Sequence, residues 1–370
     1  MINFGMGKIK AGAPEIPFNK LPFLPPEKKL IETVPVLRQL VKSSVVLAEL
    51  KGLANTLPNP QILLNAVILK EARASSEIEN VITTQDKLYE ALSAKAAQAD
   101  APTKEVLRYR EAMLRGYYLL QKRGFINTNT IIEIQKTLEH NNAGIRKLPG
   151  TALKNAATGK IIYTPPDDHS IILQLLKNFE DYLNKAGEIS PLITLAVQHY
   201  QFEGIHPFYD GNGRTGRIIN ILHLVLHGLL ESPLLYLSAY IIENKTAYYR
   251  LLQDVRTKNK WEGWILYMLI GIEQTATKTI GQIKEINQLF AKTQDKIKKG
   301  LKKTYNKELL EVLFEHPYCK TQYITQRLNI SRITATKYLK ELESLGILQS
   351  KKIWKETLYI NIGLYNLLKK

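Results

Sequence analysis

Twelve residues, His206-Pro-Phe-Tyr-Asp-Gly-Asn-Gly-Arg-Thr-Gly-Arg217, constrain this chain more than any other stretch. They gather a residue that titrates near neutrality, a carboxylate, a glycine-bounded turn and two arginines. The apolar run that follows, Ile218 to His227, has helical rather than alternating spacing, so Gly211-Asn212-Gly213 reads as a tight turn opening a helix. The first amides of a helix have no partner within it, and together with the helix dipole they favour an anion at that end. Arg214 and Arg217 stand three apart on one helical face, and their guanidinium forks suit phosphate oxygens. Asp210, just ahead of the turn, can hold Mg²⁺ against those phosphates. His206 can take a proton from an attacking hydroxyl. Phosphoryl or nucleotidyl transfer is the chemistry such a set performs.

The stretch resembles the Fic-domain signature, His-Pro-Phe-x-(Asp/Glu)-Gly-Asn-Gly-Arg-x-x-Arg, at every specified position. What the resemblance implies goes beyond spacing: an all-α Fic fold that transfers AMP from ATP to a Ser, Thr or Tyr hydroxyl of a target protein, releasing pyrophosphate. By that resemblance His206 is the general base and Asp210 the Mg²⁺ ligand. Gly211, Asn212 and Gly213 form the phosphate nest, and Arg214 and Arg217 grip the β and γ phosphates. Thr215 and Gly216 belong to the same nucleotide-binding stretch. A second resemblance lies upstream, on a helix expected over about 61–80. Ser75-x-x-x-Glu79-Asn80 is similar to the family's autoinhibitory motif, in which the glutamate pairs with the second motif arginine, here Arg217. The resemblance implies a brake on ATP alignment, and a carboxylate that can activate water to remove AMP again.

Two further stretches extend the likeness. Gly150 to Pro166 reads as a hairpin turning at Gly159-Lys160, with strands over 151–155 and 160–164. It resembles the β-hairpin flap on which Fic proteins dock the target backbone, with Ile162 and Tyr163 the docking positions. Ile241 to Leu252 reads as one helix and resembles the adenine-pocket stretch, with Asn244 hydrogen-bonding and Tyr248 packing against the base. His223 and His227 have the i, i+4 spacing of a metal pair, but no third ligand stands out and the surroundings are apolar; packing is the expectation.

Composition sets the remaining bounds. The single cysteine, Cys319, excludes an internal disulfide, and with no secretory h-region and no run of ~18 apolar residues the chain is expected to be cytoplasmic, with no membrane partner. Net charge is +17, from 51 Lys plus Arg against 34 Asp plus Glu. From Ala291 to Lys370 there are 17 basic and 7 acidic residues, an excess of 10 in the tail alone. Helices expected at Lys307–Phe314, Lys320–Leu328 and Ser331–Leu345, then strands at Leu348–Ser350 and Thr357–Ile360, resemble a winged helix-turn-helix. Arg332, Thr334, Thr336 and Lys337 would face a DNA groove, and Lys351, Lys352 and Lys355 would meet phosphate; such modules also dock protein.

The proline-rich residues 1–26 read as an extended arm with Phe18, Leu21, Phe23 and Leu24 able to dock it, or as a frayed tail. Further helices are expected at 27–57, 103–120, 129–140, 171–185, 191–203 and 261–289, and a linker at 92–102. The division expected is 1–102 for the arm and inhibitory helix, 103–290 for the Fic core and 291–370 for the winged helix. A homodimer and self-modification are expected, with ATP and Mg²⁺ as donor and cofactor. Two rivals remain: a Fic-fold transferase using another phosphate-containing donor such as UMP or phosphocholine, and a DNA-binding regulator whose Fic half senses nucleotide.

Overall fold

The computed structural model describes residues 13–57, 59–93, 99–154, 158–185, 187–301, 304–353 and 356–369. Residues 1–12 of the expected arm, 94–98 of the expected linker, Asn155 and Lys355 carried expectations and lie outside them. The chain is mostly helical. In order it runs α1 Lys28–Ile31, α2 Val34–Ala54, α3 Pro60–Ile78, α4 Gln85–Ser93, α5 Ala101–Arg123 and α6 Thr128–Glu139. A small hairpin, β1 Leu153–Lys154 and β2 Ile161–Tyr163, precedes α7 His169–Asn184, α8 Pro191–Ile205 and α9 Asn212–Leu226. Then come α10 Leu237–Glu243, α11 Lys245–Lys258 and the long α12 Trp261–Gly300. The tail is α13 Lys307–Glu315, β3 Tyr318–Lys320, α14 Thr321–Leu328, α15 Arg332–Ser344, β4 Leu348–Ile353, β5 Glu356–Asn361 and α16 Ile362–Lys369.

Contacts divide these elements into two compact units. One holds the described residues up to Leu47 with Arg108–Pro233 and Leu237–Thr275; the other holds Ala48–Leu107, Leu234–Tyr236 and Ala276–Lys370.

In the first unit α8 is apolar nearly all round, and a helix of that kind belongs at the centre of a core. It packs against α7 and α9, and α6 lies on α9. Gly216 makes the α8–α9 approach close: a Cβ there would meet Phe202 Cδ1 at 3.0 Å. The described part of the N-terminal arm, from residue 13, is docked. Phe18, Leu21 and Leu24 are buried, while Phe23 stays exposed. Backbone bonds hold the arm down, Phe18 N donating to Thr164 O at 3.0 Å and Leu24 N to Asn178 Oδ1 at 2.7 Å.

Two expected helices prove to be pairs. The span 27–57 breaks before α2, because Thr33 O takes the first helical bond from Leu37 N at 2.9 Å and Pro35 needs a first-turn position, where its missing N–H costs nothing. The span 241–252 breaks at Asn244, whose backbone (φ −122°, ψ 32°) ends α10 and opens α11.

The second unit contains α3, α4, the C-terminal part of α12 and the tail. Phe290 of α12 packs edge-on to Phe314 of α13, centroids 4.9 Å apart. The strands form one antiparallel sheet in the order β3-β5-β4. Ser331 caps α15, its Oγ accepting from Thr334 N at 3.1 Å. Three elements escaped the sequence reading: α4, β3 and α16. They belong together. Asp86 of α4 accepts from Tyr318 OH at 3.0 Å and from Tyr365 OH, while the Tyr89 and Tyr318 rings stack at 5.6 Å. Lys351, expected to meet phosphate, instead pairs with Glu90 of α4 at 2.7 Å.

The bond from Tyr365, then that from Tyr318, holds the Asp86 carboxyl below its usual range. A depressed carboxyl stabilises the fold above the ordinary carboxylate range and loses that contribution as pH falls through it. Asp86→Ala is therefore expected to cost about 1–3 kcal/mol at neutral pH. Urea titrations at several pH values check this: the difference from wild type should shrink below pH ~4.

Candidate active site

The site begins where α8 ends. His206 caps it in the left-handed conformation (φ 49°, ψ 59°), with its N–H on Phe202 O at 2.9 Å. A non-glycine residue holds that conformation only when its surroundings over-determine it, and here Arg146 does so. This arginine is 1% exposed. Its Nε donates to His206 O at 2.8 Å, and its Nη2 to Ile205 O at 3.3 Å and to Pro166 O. Its own N–H donates to Pro207 O at 2.9 Å. Burial pulls the guanidinium below its ordinary pKa. Next to it, Tyr209 Oη accepts from Lys147 N at 3.0 Å and Leu148 N at 3.3 Å. Residues 146–148 and 205–209 are thereby fastened to each other, and the histidine's position follows.

Asn212 closes the turn. Its Oδ1 accepts from Phe208 N and its Nδ2 donates to Phe208 O, both at 2.8 Å. With the Asn212 amide spent on this clamp, what the turn offers an anion is backbone. Gly211 is the N-cap of α9 at φ 77°, ψ 11°, and without a side chain it cannot cap the first amides of α9 itself. Asp210 is exposed, and its Oδ1 accepts from Gly211 N at 2.7 Å.

Arg214 and Arg217 both lie on α9 and are 5% and 2% exposed. Arg214 Nη2 meets Glu139 Oε1 of α6 at 2.8 Å. Between the arginines, Thr215 is fully buried and Gly216 lies against Phe202 of α8.

Tyr248 is core too. It is 2% exposed, its OH lies 2.8 Å from His199 Nε2, and its ring packs with Trp264 at 5.6 Å. Burial first, and the Arg217 charge second, push the His199 pKa down to about 3. Its neighbour Tyr249 is the exposed ring of the pair. Asn244 donates through Nδ2 to Tyr240 O at 3.0 Å.

On the hairpin, strand alternation separates the two expected docking residues. Ile162 is exposed, whereas Tyr163 is buried and donates to Gly204 O at 2.8 Å. The Arg256 guanidinium lies over the Tyr163 ring, 3.5 Å from its centroid. Histidines 223 and 227 bond carbonyls, Pro191 O at 2.8 Å and Leu183 O at 3.0 Å, and among the described residues no cluster of three metal-ligating side chains occurs.

In the other unit, Ser75 is fully buried within α3. Glu79 is the C-cap of that helix, and Asn80 takes the left-handed conformation at φ 64°. Val81 N closes the end on Ser76 O at 3.0 Å. This geometry gives the Asn or Gly of the motif a reason: only such residues take a left-handed C-cap cheaply.

Glu139, Gln135 and Arg146 were not legible as site residues. Their partners lie far away in sequence, and the one local signal was a polar cluster, Glu139-His140-Asn141-Asn142, ending α6.

Three family models match consecutive parts of the chain. The Fic/DOC family N-terminal model covers residues 37–118, the Fic/DOC family model 125–224, and the C-terminal domain of SoFic-like protein adenylyltransferases 289–364. The chain belongs to the Fic/DOC family. Protein adenylyltransferase Fic of Aedes aegypti is 32% identical over 104 residues, 27% of this chain and 20% of that protein. Protein adenylyltransferase fic-1 of Caenorhabditis elegans is 29% identical over 121 residues, 32% of this chain and 22% of that one. The chain thus spans about a fifth of the length of these curated relatives. A crystal structure of a Fic family protein from Desulfovibrio desulfuricans superposes with a TM-score of 0.59 at 17% identity, covering 91% of this chain and 98% of that one. A fragment of Caenorhabditis elegans Fic-1 gives 0.51 at 20% identity, over 67% and 73% of the two chains. At these identities the likeness is one of fold.

Gly211 offers a direct check of the turn. Its φ of +77° disfavours any other L-residue, and a Cβ would lie 2.4 Å from Glu139 Oε1. Gly211→Ala is expected to cost about 1–2 kcal/mol for the backbone alone, with displacement of Glu139 added; thermal unfolding monitored by circular dichroism measures it.

Proposed function

We propose that this chain is a protein adenylyltransferase, moving AMP from ATP to a hydroxyl side chain of a protein. The observation that carries the reading is the sequence of supports at one helix start: a pinned His206, an uncapped Gly211 turn, and Arg214 with Arg217 on the same helix. ATP lies with its β and γ phosphates at the turn and the arginines, which leaves the α phosphate toward His206. The target hydroxyl attacks the α phosphorus, its proton passes to the His206 ring, and the bond to the β-phosphate oxygen breaks, releasing pyrophosphate. The arginines and the α9 amides neutralise the charge that develops on the leaving group. Asp210 fits a Mg²⁺ ion: one exposed carboxylate beside a phosphate site is what a cation that keeps phosphate and water ligands requires. Bound there, Mg²⁺ would supply charge neutralisation between phosphates. Ile162, on the exposed face of β2, is the hairpin residue available to a target segment.

Restraint by Glu79 is part of the same proposal. The Ser75-x-x-x-Glu79-Asn80 pattern and the left-handed Asn80 support it, and the carboxylate that hinders transfer can also orient water for the reverse hydrolysis. A 100-fold brake needs only about 2.7 kcal/mol, within reach of one carboxylate–guanidinium pair.

The C-terminal module has the helix, strand, helix, helix and hairpin order of a winged helix, and a second reading gives it a nucleic-acid partner. One observation favours it: Ile333 of α15 is 85% exposed and sits among Arg332, Lys337 and Lys340 along a hollow of about 650 Å³. Lys351 would first have to release Glu90, its partner at 2.7 Å.

With α-labelled ATP, Mg²⁺ and lysate protein as acceptor, His206→Ala is expected to lower transfer by about 10²–10⁴-fold while ATP still binds. Equal loss of binding and transfer would make His206 structural. Glu79→Gly is expected to raise labelling, including self-labelling; unchanged labelling removes the brake.

A further inference from the structure

We propose that Glu139 is a positioning residue for nucleotide binding, fixing Arg214 so that the site distinguishes a triphosphate from a monophosphate. The proposal rests on the reading of Gly211–Arg217 as a phosphate site. Gln135 and Glu139 are one turn apart on α6 and share a face. That face braces the turn at two points: Gln135 Nε2 donates to Asp210 O at 3.3 Å, and Glu139 Oε1 receives Arg214 Nη2 at 2.8 Å. Both partners of the pair are largely buried, 5% exposed for the arginine side chain and 13% for the glutamate. Glu139 is the last residue of α6, and His140 behind it is left-handed and ends the helix there. Its carboxylate lies directly against Gly211, beside the amides that would receive the phosphates.

A guanidinium has five donors, more than one carboxylate oxygen takes up. Positioned by Glu139, Arg214 loses little further freedom when a phosphate arrives, and pre-organisation of this kind converts into affinity. Removing the negative charge would by itself favour phosphate, and the loss of a fixed guanidinium opposes it. In so buried a pair the geometry dominates, because an arginine deprived of its carboxylate turns to other acceptors. AMP, which lacks the outer phosphates, does not reach Arg214 and is indifferent to the pair.

The test is calorimetric titration of the full chain with ATP and with AMP, in wild type, Glu139→Gln, Arg214→Gln and the double variant. Glu139→Gln is expected to reduce the ratio of AMP to ATP dissociation constants by about 10-fold, the effect of one misplaced charge-assisted bond. In the Arg214→Gln background the same change is expected to have an effect within about 2-fold, since the partner it positions is gone. An unchanged ratio with a lowered melting temperature would make Glu139 merely structural and overturn the proposal; tighter ATP binding would overturn it by making the carboxylate a competitor. Should Glu139→Gln fail to fold, Glu139→Asp, which keeps the charge but withdraws it, is expected to lose part of the ratio, and an unchanged ratio there overturns the proposal too. Wild type that binds ATP and AMP equally would instead overturn the phosphate-site reading itself.

Discussion

The Arg146 guanidinium is the fixture on which the site depends. It sits in the interior, where a cation is costly unless its donors find acceptors. Its Nε and Nη2 find theirs on Ile205, His206 and Pro166, and the Asp167 carboxylate adds a favourable charge. Those bonds tie the end of α8 to the loop before α7, and they oppose the strain of a left-handed histidine. The next residues inherit the geometry: Phe208 can be clamped by Asn212 only if the chain leaves α8 in this direction, and Gly211 can open α9 only if that clamp closes. The geometry of the α9 start and of the histidine beside it thus comes from one buried cation and one side-chain amide.

The signature spelled out the chemistry in the sequence, and the orientation of its members was legible only in part. Helix geometry separates Arg214 and Arg217 from Gly216, although all fall in one motif; Gly216 serves the contact with α8. Tyr248 and Tyr249 repeat the lesson, since neighbouring positions on a helix point about 100° apart and the one expected at the base is the one in the core. On β2 alternation does the same to Ile162 and Tyr163. Residues whose partners are remote could not be read. Glu139 and Arg214 are 75 positions apart, and nothing local to Glu139-His140 announces its partner. Most helices were readable from their spacing, α5, α7 and α8 among them. The short elements α4, β3 and α16 give periodicity few repeats, and their stability comes from one another, through Asp86, Tyr318 and Tyr365.

Charge shows a similar limit. The basic excess of the tail suggested a polyanion partner, yet Lys351 serves α4 and Lys320 pairs with Glu356 at 2.6 Å. What remains outward on α15 is a narrower patch than the count implied. By contrast, the two arginines of α9 are buried, and Arg214 is paired with a carboxylate of its own unit.

The central claim is that the turn and arginines hold the outer phosphates so that the bond broken is the one beyond the α phosphorus. The most direct measurement is to supply ATP labelled in parallel at the α or the γ phosphate and follow each label into acceptor protein and into released pyrophosphate. The account predicts α label on protein hydroxyls and γ label only in pyrophosphate. A γ label on the protein would contradict it, because the outer phosphate would then be the group transferred rather than the group held.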